Sequence, residues 1–151
     1  MIHIRAATPD DARALAALRW DFRAAQDPPA ESRDHFLERC AAWIVRELSA
    51  DGPWRAWVAV RDGRIAGQIW TNLIEKIPNP AVERERHAYV SNLFVRPDAR
   101  GGVGTQLLDT VLAWCAANGV DRVFLWPSKR SVTLYTRHGF VRNGGVMELI
   151  L

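Results

Sequence analysis

The sequence predicts a mixed α/β (α+β) fold in a single domain spanning residues 1–151, and three observations carry that prediction. The chain has 151 residues, 48% hydrophobic and 25% charged, which suits one globular domain with a real core. Apolar residues recur with the two-residue period of strands in some stretches and the helical period of about 3.6 in others. No repeat, low-complexity run or interior linker interrupts them.

The elements follow in order. Ile2 and Ile4 alternate with His3 and Arg5, a short strand. Thr8-Pro9-Asp10-Asp11 then offers a capping hydroxyl, a proline for the first helical position and an acid three residues after the cap. The helix that follows carries Leu15, Leu18 and Phe22 on one face and ends at Asp27-Pro28-Pro29. A second helix starts near Ser32, with Phe36, Leu37, Cys40, Trp43, Ile44 and Leu48 at helical spacing, and Asp51-Gly52-Pro53 stops it. Trp54 to Val60 is aromatic and β-branched, Asp62-Gly63 is a hairpin turn, and Ile65 to Ile74 is the returning strand.

Residues 78–86 are polar and turn-rich, a surface loop. Ala88 to Val95 is a strand closed by Pro97. Val103, Leu107, Leu108, Val111, Leu112 and Cys115 mark a third helix, ended by Asn118-Gly119. Val120 to Trp126 reads as a strand of the buried type, and a short helix from Ser131 to His138 ends at Gly139. Phe140-Val141 and Val146 to Leu151 read as two last strands about Asn143-Gly144-Gly145. The order is strand, two helices, three strands, helix, strand, helix, two strands.

Composition excludes several function classes. No apolar run approaches the roughly 18 residues needed to cross a bilayer, and the N-terminus lacks signal-peptide character, so a cytoplasmic location without membrane partners is expected. Cys40 and Cys115 are far apart within helical apolar patterns and read as buried free thiols. His3, His35, His87 and His138 lack ligand spacing, so no metal is expected. A net charge of +3 and a pI near 9.3 are too mild, with arginines too dispersed, to argue for nucleic acid. They suit a small polyanion bound at one spot, or simply a solvated mixed-charge surface.

The most informative segment is Asn92-Leu93-Phe94-Val95-Arg96-Pro97-Asp98-Ala99-Arg100-Gly101-Gly102-Val103-Gly104-Thr105. A strand leads into a glycine-rich loop at which an amphipathic helix begins. Glycines let the backbone turn sharply and bring its N–H groups near a ligand, and the helix N-terminus favours an anion. A P-loop would need lysine before Thr105, and a dinucleotide fingerprint would need glycine where Leu107 stands. A phosphate cradle of another kind, or a glycine-rich turn with no ligand, remains.

Val95-x-Pro97-x-x-Arg100-Gly101-Gly102-Val103-Gly104 resembles the acetyl-CoA signature of the GNAT N-acetyltransferase superfamily. Leu134-Tyr135-Thr136-Arg137-His138-Gly139-Phe140, about thirty residues on, resembles that family's second signature. The element order matches throughout. The resemblance implies a GNAT-like domain with a mixed, mostly antiparallel sheet of about seven strands, four flanking helices and a splayed fourth and fifth strand pair. One departure stands out: the usual loop is Arg/Gln-x-x-Gly-x-Gly/Ala, and that spacing lands on Ala99, as though one residue were missing.

The resemblance further implies acetyl-CoA as co-substrate and an N-acetyltransferase in which an amine attacks the thioester directly. Leu93, Phe94 and Val95 would pair with the pantetheine arm like an added strand. The amides of Arg100, Gly101, Gly102, Val103, Gly104 and Thr105 would hold the pyrophosphate. Tyr135 matches the family tyrosine that protonates the departing thiolate, and the alternative is a helix residue packing on Phe140. The family's strand glutamate is replaced by Tyr89, which leaves His87, two residues earlier on the same face, as candidate base.

The acceptor, a small-molecule or peptide amine, would enter between the first two helices and the loop between the third and fourth strands. Asp27, Glu31, Glu75, Glu83 and Glu85 there could hold a cationic amine, and Trp20, Phe22 and Trp70 its apolar part. Two other readings stay open: an acyl-CoA-binding sensor or interaction module without catalysis, and an acetyltransferase acting on protein lysines or N-termini. A homodimer is allowed by either.

Overall fold

The computed structural model describes residues 1–81 and 85–151. Its elements are β1 (Ile2–Ala6), α1 (Ala12–Ala24), α2 (Arg33–Ser49), β2 (Trp54–Arg61), β3 (Arg64–Glu75), β4 (Arg86–Val95), α3 (Val103–Ala117), β5 (Arg122–Phe124) and α4 (Val132–Arg137). Single 3-10 turns, Pro9–Asp11 and Pro97–Ala99, lead into α1 and toward α3. The strands form one sheet in the order β1-β2-β3-β4-β5, antiparallel except for the parallel β4–β5 pair.

Local chemistry explains the boundaries. Asp11 takes Arg5 in a two-point ion pair at 2.8 Å and accepts the Thr8 backbone N–H at 2.8 Å, closing the turn into α1. Ser32 Oγ accepts from the His35 amide at 3.3 Å and caps α2. Asp62 and Gly63, at φ of 50° and 73°, make the mirror-image turn that joins β2 to β3. Asn118 Nδ2 donates to the Trp114 carbonyl at 2.8 Å at the end of α3, and Gly119 leaves it at φ 75°.

Alternation along the strands creates two cores. On one face Trp57, Ala59, Ile69, Ala88 and Val90 pack under α3 and Tyr135. On the other, Ala56, Val58 and Trp70 pack under α1 and α2 with Leu15, Leu37 and Ile44. Gly67 lets the layers close up: a Cβ there would lie 3.1 Å from the Phe94 carbonyl oxygen and 3.3 Å from Leu107 Cδ1.

The expected class and element order hold, but five strands form among the described residues where about seven were expected. Phe140-Val141 and Val146 to Leu151 are not strands. Their apolar side chains, Val141, Val146, Met147, Leu149, Ile150 and Leu151, stay largely exposed and pair with no edge. The expected strand Val120 to Trp126 shortens to Arg122–Phe124 for the same reason. Lacking a neighbour beyond it, β5 is a half-exposed edge strand rather than a buried one.

Candidate active site

The site begins where β4 stops being an ordinary strand. Asn92 has φ of 55°, and the pairing with β3 shifts there, so that Ser91 faces Trp70 and Phe94 faces Gln68. Two residues of β4, 92 and 93, stand opposite the single Ile69, which is a β-bulge. Asn tolerates the left-handed backbone better than most residues. On its other side β4 pairs with β5 only through His87, Ala88 and Tyr89. From Val90 to Val95 that edge of β4 faces no strand among the described residues.

The same open end holds the glycine loop. Gly101 and Gly102 have φ of 108° and 88°, a conformation that places Gly102 as the left-handed residue before α3. The first intrahelical bond runs from the Gln106 amide to the Gly102 carbonyl at 3.0 Å. The amides of Gly102, Val103, Gly104 and Thr105 therefore have no helical acceptor, and no side chain caps them. No acidic residue stands in the first turn. Uncapped amides at the positive end of a fifteen-residue helix are suited to an anion. Arg100 is exposed, whereas Ala99, at the position where the family spacing would put an arginine, is buried.

Tyr135 is brought to this end of the sheet. It shares a packed cluster with Val103 and Leu107, and its neighbour Leu134 lies 3.7 Å from where a Cβ on Gly104 would stand. Its ring meets Phe140 edge-on at 5.5 Å. Its hydroxyl makes no hydrogen bond among the described residues, and burial pushes its pKa up to about 12. His138 fastens α4 to α3, with Nε2 2.9 Å from Asp109 Oδ1 and Nδ1 2.8 Å from the Leu134 carbonyl. His87 sits at the opposite end of β4, where Nε2 lies 3.7 Å from Asp121 Oδ1. Tyr89 stands between, donating to Ser91 Oγ at 3.2 Å.

On the other face of the sheet, a cavity of about 490 Å³ opens between α1, α2 and strands β2 to β4. Trp43, Trp54 and Trp70 line it, with ring centroids 5.6 to 6.1 Å apart. Arg19, Gln68 and Asn92 supply polar groups, and Cys40 also faces it, half-buried rather than fully buried. Burial pushes the Cys40 thiol pKa up.

The acids expected to hold a cationic amine do not line this cavity. Glu31 is taken by Arg39 and by His35, and Asp27 by Arg23 at 3.5 Å. Glu75 faces Arg86 at 4.0 Å, and Glu85 accepts the Asn79 amide at 2.9 Å. Glu83 lies outside the described residues. Of the expected aromatics, Trp70 lines the cavity, while Trp20 packs on Phe36 at 5.6 Å and Phe22 stacks on Phe94 at 5.3 Å. Sequence reading missed Arg19, Gln68 and Asn92. The available signal was a charged residue one turn after Leu15 on the apolar face of α1, and polar residues inside two apolar strands.

Among the described residues no helix is long and apolar enough to cross a membrane. The sequence model of the acetyltransferase (GNAT) family matches residues 12–140. No curated protein sequence matches the chain. Among solved structures, a predicted acetyltransferase from Clostridium acetobutylicum with acetyl-CoA superimposes with a TM-score of 0.81 at 20% identity, over 99% of this chain and 96% of that one. A GCN5-related N-acetyltransferase from Ralstonia eutropha gives 0.80 at 25% identity, over 99% of both chains. A glucosamine-6-phosphate N-acetyltransferase from Arabidopsis thaliana gives 0.74 at 16% identity, over 99% and 98%.

Proposed function

Because the chain belongs to the acetyltransferase (GNAT) family, we propose that it transfers the acetyl group of acetyl-CoA to an amine within a ternary complex. The observation that carries this reading is the meeting of two unsatisfied backbone surfaces. The uncapped amides of α3 adjoin the free edge of β4 beyond Tyr89. The pyrophosphate sits on the amides of Arg100, Gly101, Gly102, Val103, Gly104 and Thr105. The pantetheine arm runs along Leu93, Phe94 and Val95, accepting and donating backbone hydrogen bonds as an added strand would.

In the reaction a neutral amine nitrogen attacks the thioester carbonyl, the new C–N bond forms, and the C–S bond then breaks to release CoA thiolate. Tyr135 donates its phenolic proton to that sulfur. A phenol with a pKa near 12 stays protonated across the physiological range and is available as the acid. The ammonium proton leaves to a base, for which His87 is the proposed residue on the acceptor-facing side of β4. Its distance from the bulge makes a relay through water part of that proposal.

The test is thiol release from acetyl-CoA against a panel of amino acids, arylamines, polyamines, aminoglycosides and peptides. Release that requires both an amine and Tyr135 supports transfer. A second reading, an acyl-CoA-binding module without catalysis, draws on one observation: buried Ala99 occupies the place of the family's loop arginine. Tight acetyl-CoA binding with no amine-dependent release across the panel would favour it.

A further inference from the structure

The cavity on the α1–α2 face holds two polar groups whose bonding is incomplete. Gln68 is fully buried, and its Oε1 accepts from Trp70 Nε1 at 3.1 Å. Its Nε2 has no partner among the described residues. A buried N–H left unpaired is costly, so a group in the cavity that accepts from it would be held there. Gln68 borders the cavity beside Trp70 but is sealed from solvent, so its donor meets a ligand only if the side chain turns toward the cavity.

Arg19 is the second. It is half-buried on α1, and Nη1 donates to Asn92 Oδ1 at 3.2 Å. No carboxylate pairs with it among the described residues. The other cavity arginines are already engaged: Arg39 with Glu31, and Arg46 with Glu47 at 3.1 Å. Among the described residues no Asp or Glu lines the cavity. Burial and the neighbouring Arg23 both pull the Arg19 guanidinium below its ordinary pKa, as expected for a partly desolvated cation lacking a counter-ion. An isolated guanidinium matches one carboxylate in a two-point pair, whereas a dianionic phosphate would call for a second free cation.

We infer that this cavity takes an amine bearing a carboxylate and an aromatic or bulky apolar body, with the carboxylate on Arg19 and the body among Trp43, Trp54 and Trp70. Resting on the acetyl-transfer reading above, this makes the acceptor an amino-carboxylate rather than a polycation. Arg19 is tied to Asn92, so the carboxylate is held next to the β4 bulge. An amino group one carbon from that carboxylate lies on the same side of the cavity, close to the free edge of β4. Turned toward the cavity, Gln68 Nε2 donates to a carboxylate oxygen of the same molecule.

The experiment titrates phenylalanine and phenethylamine, which differ by the carboxylate, into the protein with and without CoA. Protein tryptophan fluorescence is the readout, since three tryptophans line the cavity and no turnover is needed. The aminophosphonate analogue of phenylalanine and spermidine complete the set. Phenylalanine should bind about 10–100-fold more tightly than phenethylamine, the range expected for one charge-assisted pair. Arg19→Gln should erase most of that difference, Arg19→Lys should keep part of it, and Gln68→Met should narrow it by less than Arg19→Gln does, because phenethylamine offers Gln68 no oxygen to bond. Equal or tighter binding of phenethylamine, a preference for spermidine or the phosphonate, or no binding of any amine overturns the inference. Thiol release separates it from the parent reading. Arg19-dependent carboxylate binding without release sinks transfer and keeps the amino-carboxylate as the cavity's ligand, whereas release to uncharged or polycationic amines alone does the reverse.

Discussion

Arg19 on α1 donates to the side chain of Asn92, seventy-three positions along the chain, and so ties α1 to the left-handed residue of the β4 bulge. Asp21, two residues on, ties α1 to the chain just past the strand, meeting Arg96 at 3.1 Å. The bulge is thus held from the α1 side while its outer edge stays open.

Asn92 has two jobs that substitutions can separate. Asn92→Gly keeps the φ of 55° without strain but loses the bond to Arg19, while Asn92→Val forces a β-branched residue into the left-handed region. The valine variant should be less stable than the glycine variant by about 1–2 kcal/mol in urea unfolding. Equal stabilities would mean that the bulge relaxes when its residue changes.

The glycine loop is tested by charge. A Cβ on Gly104 meets only Leu134 Cδ2, at 3.7 Å, so Gly104→Glu tests charge with little steric cost. Acetyl-CoA at 100 times its Kd should stabilise the parent chain by about 2.7 kcal/mol, and a thermal shift measures this directly. Gly104→Glu should lose that shift because a carboxylate stands among the amides that would face the pyrophosphate. A full shift in the variant would remove the helix N-terminus from the CoA site.

Arg5 holds the Asp11 carboxyl below the usual range, chiefly through their hydrogen bonds, with the Thr8 amide helping against burial. A lowered folded pKa contributes stability that is present above the ordinary value of 3.8 and is lost as pH falls through the folded value. Asp11→Asn should therefore cost about 1–3 kcal/mol at neutral pH, discounted because Arg5 is partly solvated. It should also flatten the acid limb of the stability profile below pH 4. An unchanged acid limb would assign that loss of stability to other carboxylates.

Much of this architecture was legible because its signals are local. Asp62-Gly63, Asn118-Gly119, the Ser32 cap and the Thr8-to-Asp11 turn lie where short-range chemistry puts them. The failures came from partners that only tertiary structure supplies. Val146 to Leu151 is apolar apart from Glu148, yet a strand needs an edge, and β5 is too short to offer one. The acids of the α1–α2 region looked free because sequence does not reveal that Arg39 and Arg23 claim Glu31 and Asp27. Arg19 and Gln68 escaped notice for the converse reason: a lone polar residue on an apolar face signals function only once its missing partner is seen.

The enzyme reading depends most on Tyr135, and Tyr135→Phe tests it with a single oxygen atom. The hydroxyl makes no hydrogen bond among the described residues, so its removal should leave stability at neutral pH nearly unchanged and acetyl-CoA affinity intact. Turnover should fall by about 10²–10⁴-fold if the hydroxyl protonates the departing thiolate. The deficit should shrink with an acyl donor whose thiol is more acidic, because such a sulfur leaves without help. Alkaline stability supplies an independent check. With its folded pKa near 12 against an ordinary 10.0, Tyr135 contributes stability that is complete below pH 10 and lost as pH rises toward 12. The phenylalanine variant has no such proton to lose, so its stability should decline less over that window. A variant that turns over at the parent rate would sink the acid role, and if its alkaline profile still differs from the parent's, the tyrosine is buried where the fold has it but does no chemistry.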